Sequence, residues 1–182
     1  DTDRLAVVGA GSQAETHVRF MLAVRPSIRT VVVCNRTPER ADALARAMDI
    51  ELARLAAEPP ARRLRVVAWS GGGSVPGRGT LTDAIITAAG ADNIAAKYAD
   101  GRYSGFDLEE LLAAQPDAVM QGAGGYAQPS LHQGSARHPL IDRLFAGRLI
   151  DYPDAAYACG LPQSARAASM LRQALARLPD EG

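Results

Sequence analysis

Five short, mostly apolar runs alternate with amphipathic segments along the chain. Uninterrupted β-branched runs, such as the one at 30–34, are typical of parallel strands that are covered on both faces. Between the runs, apolar residues recur every three or four positions, which predicts helices. The pattern therefore predicts an α/β fold, with strands at 5–8, 30–34, 64–69, 118–121 and 149–152.

Capping and breaking residues set the predicted helix boundaries. Pro38 and Pro139 are placed to begin helices, because the first helical turn tolerates a missing N–H group. Thr80 and Asp107 precede helical patterns and are predicted N-caps. Gly90 is predicted to end the helix that Thr80 begins.

The first apolar run ends in a glycine-rich turn, GAGSQA, with the pattern G-x-G-x-x-A. Gly9 permits a tight turn, Gly11 lets a phosphate approach the backbone, and Ala14 lets the next helix pack closely. The N–H groups and the positive dipole end of that helix would face the anion. We therefore predict a dinucleotide-binding turn, with a helix entry that binds nothing as the alternative. The predicted binding residues are Gly9, Ala10, Gly11, Ser12 and Gln13.

A polar cluster, Asn35, Arg36 and Thr37, follows the second predicted strand. NAD sites usually place Asp or Glu there to accept from ribose hydroxyls, whereas an arginine suits the 2′-phosphate of NADP. The cluster therefore favours NADP(H) over NAD(H). The alternative for Arg36 is a solvated arginine at a helix entry.

Residues 3–47 resemble the nucleotide-binding segment of the ornithine cyclodeaminase/mu-crystallin family. The resemblance rests on GAGSQA, on His17, on the Arg25-Pro26 helix exit and on NRTPERADALA from Asn35 to Ala45. It implies an NAD(P)-binding β-α-β-α unit. The parts that supply that family's substrate pocket and catalytic groups have no counterpart later in the chain.

Residues 49–182 resemble a different class, the C-terminal lobe of helical-backbone ABC-transporter substrate-binding proteins. These proteins serve cobalamin, haem and iron-siderophore uptake. The resemblance rests on the final helix and on three segments in their family order: Gly77–Ala96, Asp107–Met120 and His138–Pro153. It implies a ligand surface without the opposing N-terminal lobe.

This second resemblance implies apolar contact between aromatic side chains and a large planar ligand. For each aromatic side chain, a core or loop-anchoring role is the alternative. A single wall removes water from only one side of a ligand, so weak binding is expected. The candidate ligand-binding residues are Trp69, Ser70, Gly71, Gly79, Tyr126 and Tyr157.

The two resemblances together predict a recombined hybrid, most simply an engineered chimera, with a join inside a helix near Ala47 to Glu51. We expect one domain over 1–182, made of a dinucleotide-binding-type fragment (1–48) and a substrate-binding-protein lobe fragment (49–182). Its architecture would be a three-layer, doubly wound α/β domain with a five-stranded parallel sheet. The second fragment supplies three of the five strands, so we favour its strand order, 2-1-3-4-5. The Rossmann-like order 3-2-1-4-5 is the alternative.

Three functions compete. The first is a folded hybrid that needs no cofactor, carries out no catalysis and retains weak NADP(H) or phosphate affinity. The second is a solute-binding fragment for cobalamin-, haem- or siderophore-type ligands, and the third is an NADP-dependent oxidoreductase. The third is disfavoured because no Ser-x-x-x-Lys, Tyr-x-x-x-Lys or His/Asp pair has the spacing that hydride chemistry requires. We therefore predict no catalytic residue.

Composition restricts the classes of binding partner that the sequence predicts. The 20 basic and 20 acidic residues balance, so neither nucleic acid nor an anionic membrane is expected as a partner, and an ABC transporter is implied only by analogy. Cys34 and Cys159 lie far apart, and His132 and His138 lack further ligand partners, so no metal site or disulfide is predicted. No run has membrane-spanning length and no basic-then-apolar leader opens the sequence. We therefore expect a cytoplasmic location, although relatives of the second fragment are periplasmic or lipid-anchored.

Overall fold

The computed structural model describes residues 3–8, 30–34, 38–69, 74–97, 103–122, 138–152, 157 and 162–179. Strands and helices alternate along most of the chain, as the hydrophobic pattern predicts. The strands are β1 (Arg4–Val8), β2 (Thr30–Cys34), β3 (Arg65–Ala68), β4 (Ser74–Pro76), β5 (Asp92–Asn93), β6 (Tyr103–Gly105), β7 (Ala118–Gly122) and β8 (Leu149–Tyr152). The α-helices are α1 (Pro38–Ala57), α2 (Leu81–Ala88), α3 (Leu108–Ala114), α4 (Pro139–Leu144) and α5 (Pro162–Leu175), and a 3₁₀ turn covers Ile94–Lys97.

The described strands form three sheets. The largest is a four-stranded parallel sheet in the order β5-β3-β7-β8. A separate parallel pair joins β1 to β2, with Arg4 opposite Thr30 and Val8 opposite Cys34. A short antiparallel pair joins β4 to β6. The predicted α/β class with a parallel sheet flanked by helices is therefore confirmed.

The predicted single five-stranded sheet is not what the described strands form. The neighbours β3, β7 and β8 agree with the prediction, but β1 pairs with β2 and not with β3. The free edge of β3 is instead covered by β5, where the Asp92 N–H donates to the Leu64 carbonyl at 2.8 Å. Neither the order 2-1-3-4-5 nor 3-2-1-4-5 occurs within one sheet of the described residues. A two-residue strand that begins with Asp has no hydrophobic period, so the sequence could not reveal it.

The four-stranded sheet separates two apolar cores, because successive side chains of a strand point to opposite faces. Val66, Ala68 and Met120 face the first core, which α1, α2 and α5 cover. Val67 and Val119 face the second core, which α3 and α4 cover. The result is the three-layer arrangement expected for an α/β domain.

Helix α1 runs without interruption through residues 47–51, where the two resemblances meet. Its Leu55 is 1% exposed, whereas Ile50 is 68% exposed, so only one stripe of α1 is buried. Two polar contacts fix it against α5: Ser169 donates to Glu51, and Arg54 donates to the Ser169 hydroxyl at 3.1 Å. The predicted continuous helix over residues 47–51 is confirmed.

The predicted N-caps are also confirmed. The Thr80 side chain accepts from the Asp83 N–H at 3.1 Å at the start of α2. Asp107 and Glu110 form a reciprocal capping box at the start of α3, so that each side chain accepts from the other residue's N–H. These local contacts set where the two helices begin.

Candidate functional site

The carboxyl ends of β3, β7 and β8 meet at one edge of the parallel sheet, where ligands of open α/β sheets bind. Trp69 directly follows β3, and Gly122 at the end of β7 lies opposite Tyr152 at the end of β8. We therefore expect the predicted ligand residues to lie at this edge.

Trp69 lies in the second core. Its side chain is 2% exposed, its indole Nε1–H donates to the Phe106 carbonyl at 3.2 Å, and its backbone N–H donates to Met120 at 2.9 Å. Trp69 therefore has the surroundings of a core residue, which was the alternative to a ligand contact in the sequence analysis. A ligand contact by Trp69 stays a prediction.

Tyr152 and Tyr157 form an aromatic pair next to the carboxyl end of β8. Their ring centroids are 4.4 Å apart and the ring planes are inclined by 49°. Both rings are half-buried against the first core. Burial, and secondarily Tyr152, raises the pKa of the Tyr157 hydroxyl well above its ordinary value of 10. A tyrosine hydroxyl is neutral at physiological pH in any case, and the raised pKa keeps it a hydrogen-bond donor further into the alkaline range.

Gly79 lies in the turn that enters α2, at the same edge of the sheet. It has a φ of +76°, is exposed, and its N–H donates to Asp83 Oδ2 at 3.0 Å. Asn93 lies beneath this turn, with its side-chain amide donating to Asp83 Oδ1 at 3.0 Å and to the Pro76 carbonyl at 3.1 Å. Asp83 and Asn93 thus hold the turn against the sheet.

Sequence reasoning missed both of these residues. The Thr80-x-x-Asp83 spacing of a capping box was an available signal for Asp83. No local signal marks Asn93, because its partners lie 10 and 17 positions away in the chain.

The other predicted site residues lie outside the described part of the chain: Gly9, Ala10, Gly11, Ser12, Gln13, Asn35, Arg36, Thr37, Ser70, Gly71 and Tyr126. The strands that precede two of these groups are described. Val8 and Cys34 are direct partners in the β1–β2 pair, so positions 9 and 35 each follow a strand end at the same edge. The dinucleotide-binding residues stay predictions.

Two further features concern metals and membranes. Among the described residues, no group of three or more His, Cys, Asp or Glu side chains could hold a metal ion. Within the same ranges, every helix is too short or too polar to cross a membrane.

The sequence model of the shikimate/quinate 5-dehydrogenase family matches residues 1–59, about a third of the chain. This supports an NAD(P)-binding Rossmann-like segment at the N-terminus, although through a different family from ornithine cyclodeaminase. The match ends just after α1. No curated protein matches the chain.

The second similarity is to solved structures of periplasmic binding proteins. The periplasmic heme-binding protein RhuT from Roseiflexus sp. RS-1 is 21% identical, with a TM-score of 0.60 over 93% of this chain and 74% of that one. The heme-binding protein HutB of Vibrio cholerae is 21% identical, with a TM-score of 0.61 over 93% and 76%. The vitamin B12-binding protein BtuF of Vibrio cholerae is 12% identical, with a TM-score of 0.58 over 98% and 76%.

The fold resembles that of periplasmic binding proteins. Coverage of 93% or more means that the similarity in fold is not confined to residues 49–182 but takes in most of the segment 1–48 as well. The sequence resemblance alone had assigned that segment only to the dinucleotide-binding class.

Proposed function

We propose that this chain is a solute-binding domain whose ligand lies at the carboxyl edge of the four-stranded sheet. The observation that carries the proposal is the Tyr152–Tyr157 pair, which presents two half-buried aromatic rings beside the end of β8. Aromatic faces stack on extended planar molecules and gain contact area without a large loss of side-chain entropy. The similarity in fold to heme- and vitamin B12-binding proteins supports the same ligand class.

The proposed ligands are therefore haem-, cobalamin- or siderophore-type molecules, and the proposed activity is binding without catalysis. The neutral Tyr157 hydroxyl adds one hydrogen-bond donor beside an apolar surface. This is the usual composition of a small-molecule site, in which apolar walls carry a few placed polar groups.

The test is a parallel titration of the purified protein with hemin, cyanocobalamin and ferrichrome, followed by calorimetry and absorbance. We expect one of the three to bind with a dissociation constant below about 100 μM, equivalent to roughly −5.5 kcal/mol. Tyr157→Ala should weaken that ligand about tenfold, whereas Tyr157→Phe, which keeps the ring, should change affinity less than about threefold. The proposal fails if none of the three binds, or if Tyr157→Ala binds as the parent protein does with an unchanged melting temperature.

A second candidate function is NADP(H) binding at the turn Gly9–Gln13 with Arg36. It is supported by the family match over residues 1–59 and by the register of β1 and β2, in which the last residues of the two strands, Val8 and Cys34, are direct partners. We expect micromolar-to-millimolar affinity, roughly −4 to −8 kcal/mol, because only the phosphate turn is local. NADPH should bind more tightly than NADH, and Gly11→Val should abolish the binding of both. Unchanged affinity in Gly11→Val would refute this placement.

We also propose that the chain arose by recombination of the two fragments. The proposal is supported by the family match that ends just after α1, and by structural neighbours of an unrelated functional class. A continuous helix at the join makes such an exchange compatible with folding, since neither fragment has to change its local structure there.

A further inference from the structure

A cavity of about 420 Å³ lies at the opposite, amino edge of the four-stranded sheet. Leu64, Asp117 and Arg148 immediately precede β3, β7 and β8, and all three line the cavity. Because parallel strands begin at one edge and end at the other, this cavity is separate from the carboxyl edge proposed for the solute.

Most of the cavity wall is apolar. The volume falls within the range of about 300–1,000 Å³ that is typical of small-molecule sites. An apolar ligand body would therefore find contact on several sides. The apolar lining residues include Pro60, Leu64, Ala89, Leu175, Leu178 and Pro179.

The charged groups of the cavity disfavour an anion with more than one charge. Three guanidinium groups, those of Arg62, Arg148 and Arg172, accompany one carboxylate, Asp117, which pairs with Arg62 at 3.0 Å. The C-terminal ends of α1, α2, α4 and α5 point to the same edge, and each carries about half a negative charge. Arg148 already donates to the Leu144 carbonyl at the end of α4, at 2.6 Å. These groups leave too little positive charge for a phosphate dianion, so a monocarboxylate that accepts from Arg172 fits better.

Arg172 is held ready to donate. Its Nε donates to the Ala89 carbonyl at 2.9 Å, its Nη1 to Leu55 and Glu58 at 2.7 Å each, and its Nη2 to Ala88 at 3.0 Å. These bonds use four of the five guanidinium N–H groups. The fifth, on Nη2, has no acceptor among the described residues. A guanidinium fixed in this way loses little entropy when it binds a further acceptor.

We propose that the amino-edge cavity binds a small amphipathic monocarboxylate. The apolar body packs against Leu64, Leu175 and Leu178, and the carboxylate accepts from the Nη2–H of Arg172. The site is independent of the proposed solute site, so either can fail without the other.

The test uses 4-phenylbutyrate, its neutral analogue 4-phenylbutanamide, and inorganic phosphate, each titrated calorimetrically into the full chain. We expect 4-phenylbutyrate to bind with a dissociation constant below about 1 mM and the amide to bind about tenfold more weakly. Inorganic phosphate, which lacks an apolar body, should show no binding at that concentration. The proposal is overturned if 4-phenylbutyrate does not bind, or if the amide or phosphate binds equally well.

Two charge-matched variants place the site. Ala176 is exposed and lines the cavity, whereas Gln173 is exposed on α5 and does not line it. Ala176→Glu and Gln173→Glu each add one negative charge. We expect the first to weaken 4-phenylbutyrate about tenfold and the second less than about twofold. An equal effect of both variants would place the ligand elsewhere and overturn the proposal, and thermal melting of both shows that the fold is retained.

Discussion

The two edges of the four-stranded sheet are built from different contacts. At the amino edge, arginine side chains donate to the last carbonyl groups of the helices: Arg172 to α1 and α2, Arg65 to α3, and Arg148 to α4. At the carboxyl edge, Thr80 and Asp107 cap the helix starts.

The direction of the helices explains this difference. In a parallel α/β layer, the unpaired carbonyl groups and negative dipole ends meet at the amino edge, so long cationic side chains stabilise that edge. The carboxyl edge needs only short capping side chains, which leaves room for aromatic residues such as Tyr157. Substitutions of the capping arginines at the amino edge should therefore change stability, whereas substitutions of exposed groups at the carboxyl edge should change binding of the proposed solute.

The largest expected loss of stability is at Trp69, a residue at the carboxyl edge that belongs to the core. Trp69 follows the carboxyl end of β3 but is buried, so Trp69→Ala should lower the free energy of unfolding by about 4 kcal/mol. Trp69→Phe, which mainly removes the bond to the Phe106 carbonyl, should cost about 1–2 kcal/mol. Urea unfolding measures both. If Trp69→Ala lowered the free energy of unfolding by less than about 1 kcal/mol, the core role of this side chain would be refuted and a ligand contact would be favoured.

Arg172→Ala should have the next largest effect. It removes four hydrogen bonds to helix-terminal carbonyls, and we expect the free energy of unfolding to fall by about 3 kcal/mol. Arg172→Lys should recover less than half of this loss, because an ammonium group cannot reproduce the planar fork. Arg177→Ala, an exposed arginine just after the same helix, is the control and should be nearly neutral. Equal midpoints for the two alanine variants in urea would refute the capping role.

Two glycines offer a direct test of the two edges, since both have positive φ. Gly90, at the amino edge, has φ +82°, and an added Cβ would lie 2.5 Å from Cδ of Pro60. Gly79, at the carboxyl edge, has φ +76° and no atom within 4 Å of an added Cβ. Gly90→Ala should lower the free energy of unfolding by about 3 kcal/mol, and Gly79→Ala by only about 1 kcal/mol. Similar melting temperatures for the two variants would contradict the difference in packing.

The smallest effect concerns Glu51, whose pKa is lowered from 4.5 by the hydrogen bond from Arg54 and then by that from Ser169. A lowered folded-state pKa means that the contribution is present above the unfolded-state value and is lost as the pH falls through the folded-state value. Glu51→Gln should therefore lower the melting temperature slightly at pH 7, and the difference should vanish at strongly acid pH. A difference that persists there would show that packing, not charge, is what the substitution disturbs.

Local features of the fold could be predicted from the sequence. The strands β1, β2, β3, β7 and β8, the caps Thr80 and Asp107 and the continuous α1 all follow from hydrophobic period and short-range hydrogen bonding. Tyr157 was a candidate ligand residue through the resemblance to substrate-binding proteins. Its partner Tyr152 was not, because no local pattern marks the packing of two rings five positions apart.

The sequence by itself determined the α/β class, the main strands and the helix boundaries, since each depends on neighbours within a few residues. The tertiary structure alone decided that β5 rather than β1 pairs with β3, that Trp69 is buried, and that Arg172 joins two helix ends. These contacts link residues 27 to 117 positions apart, and no period or local propensity encodes them.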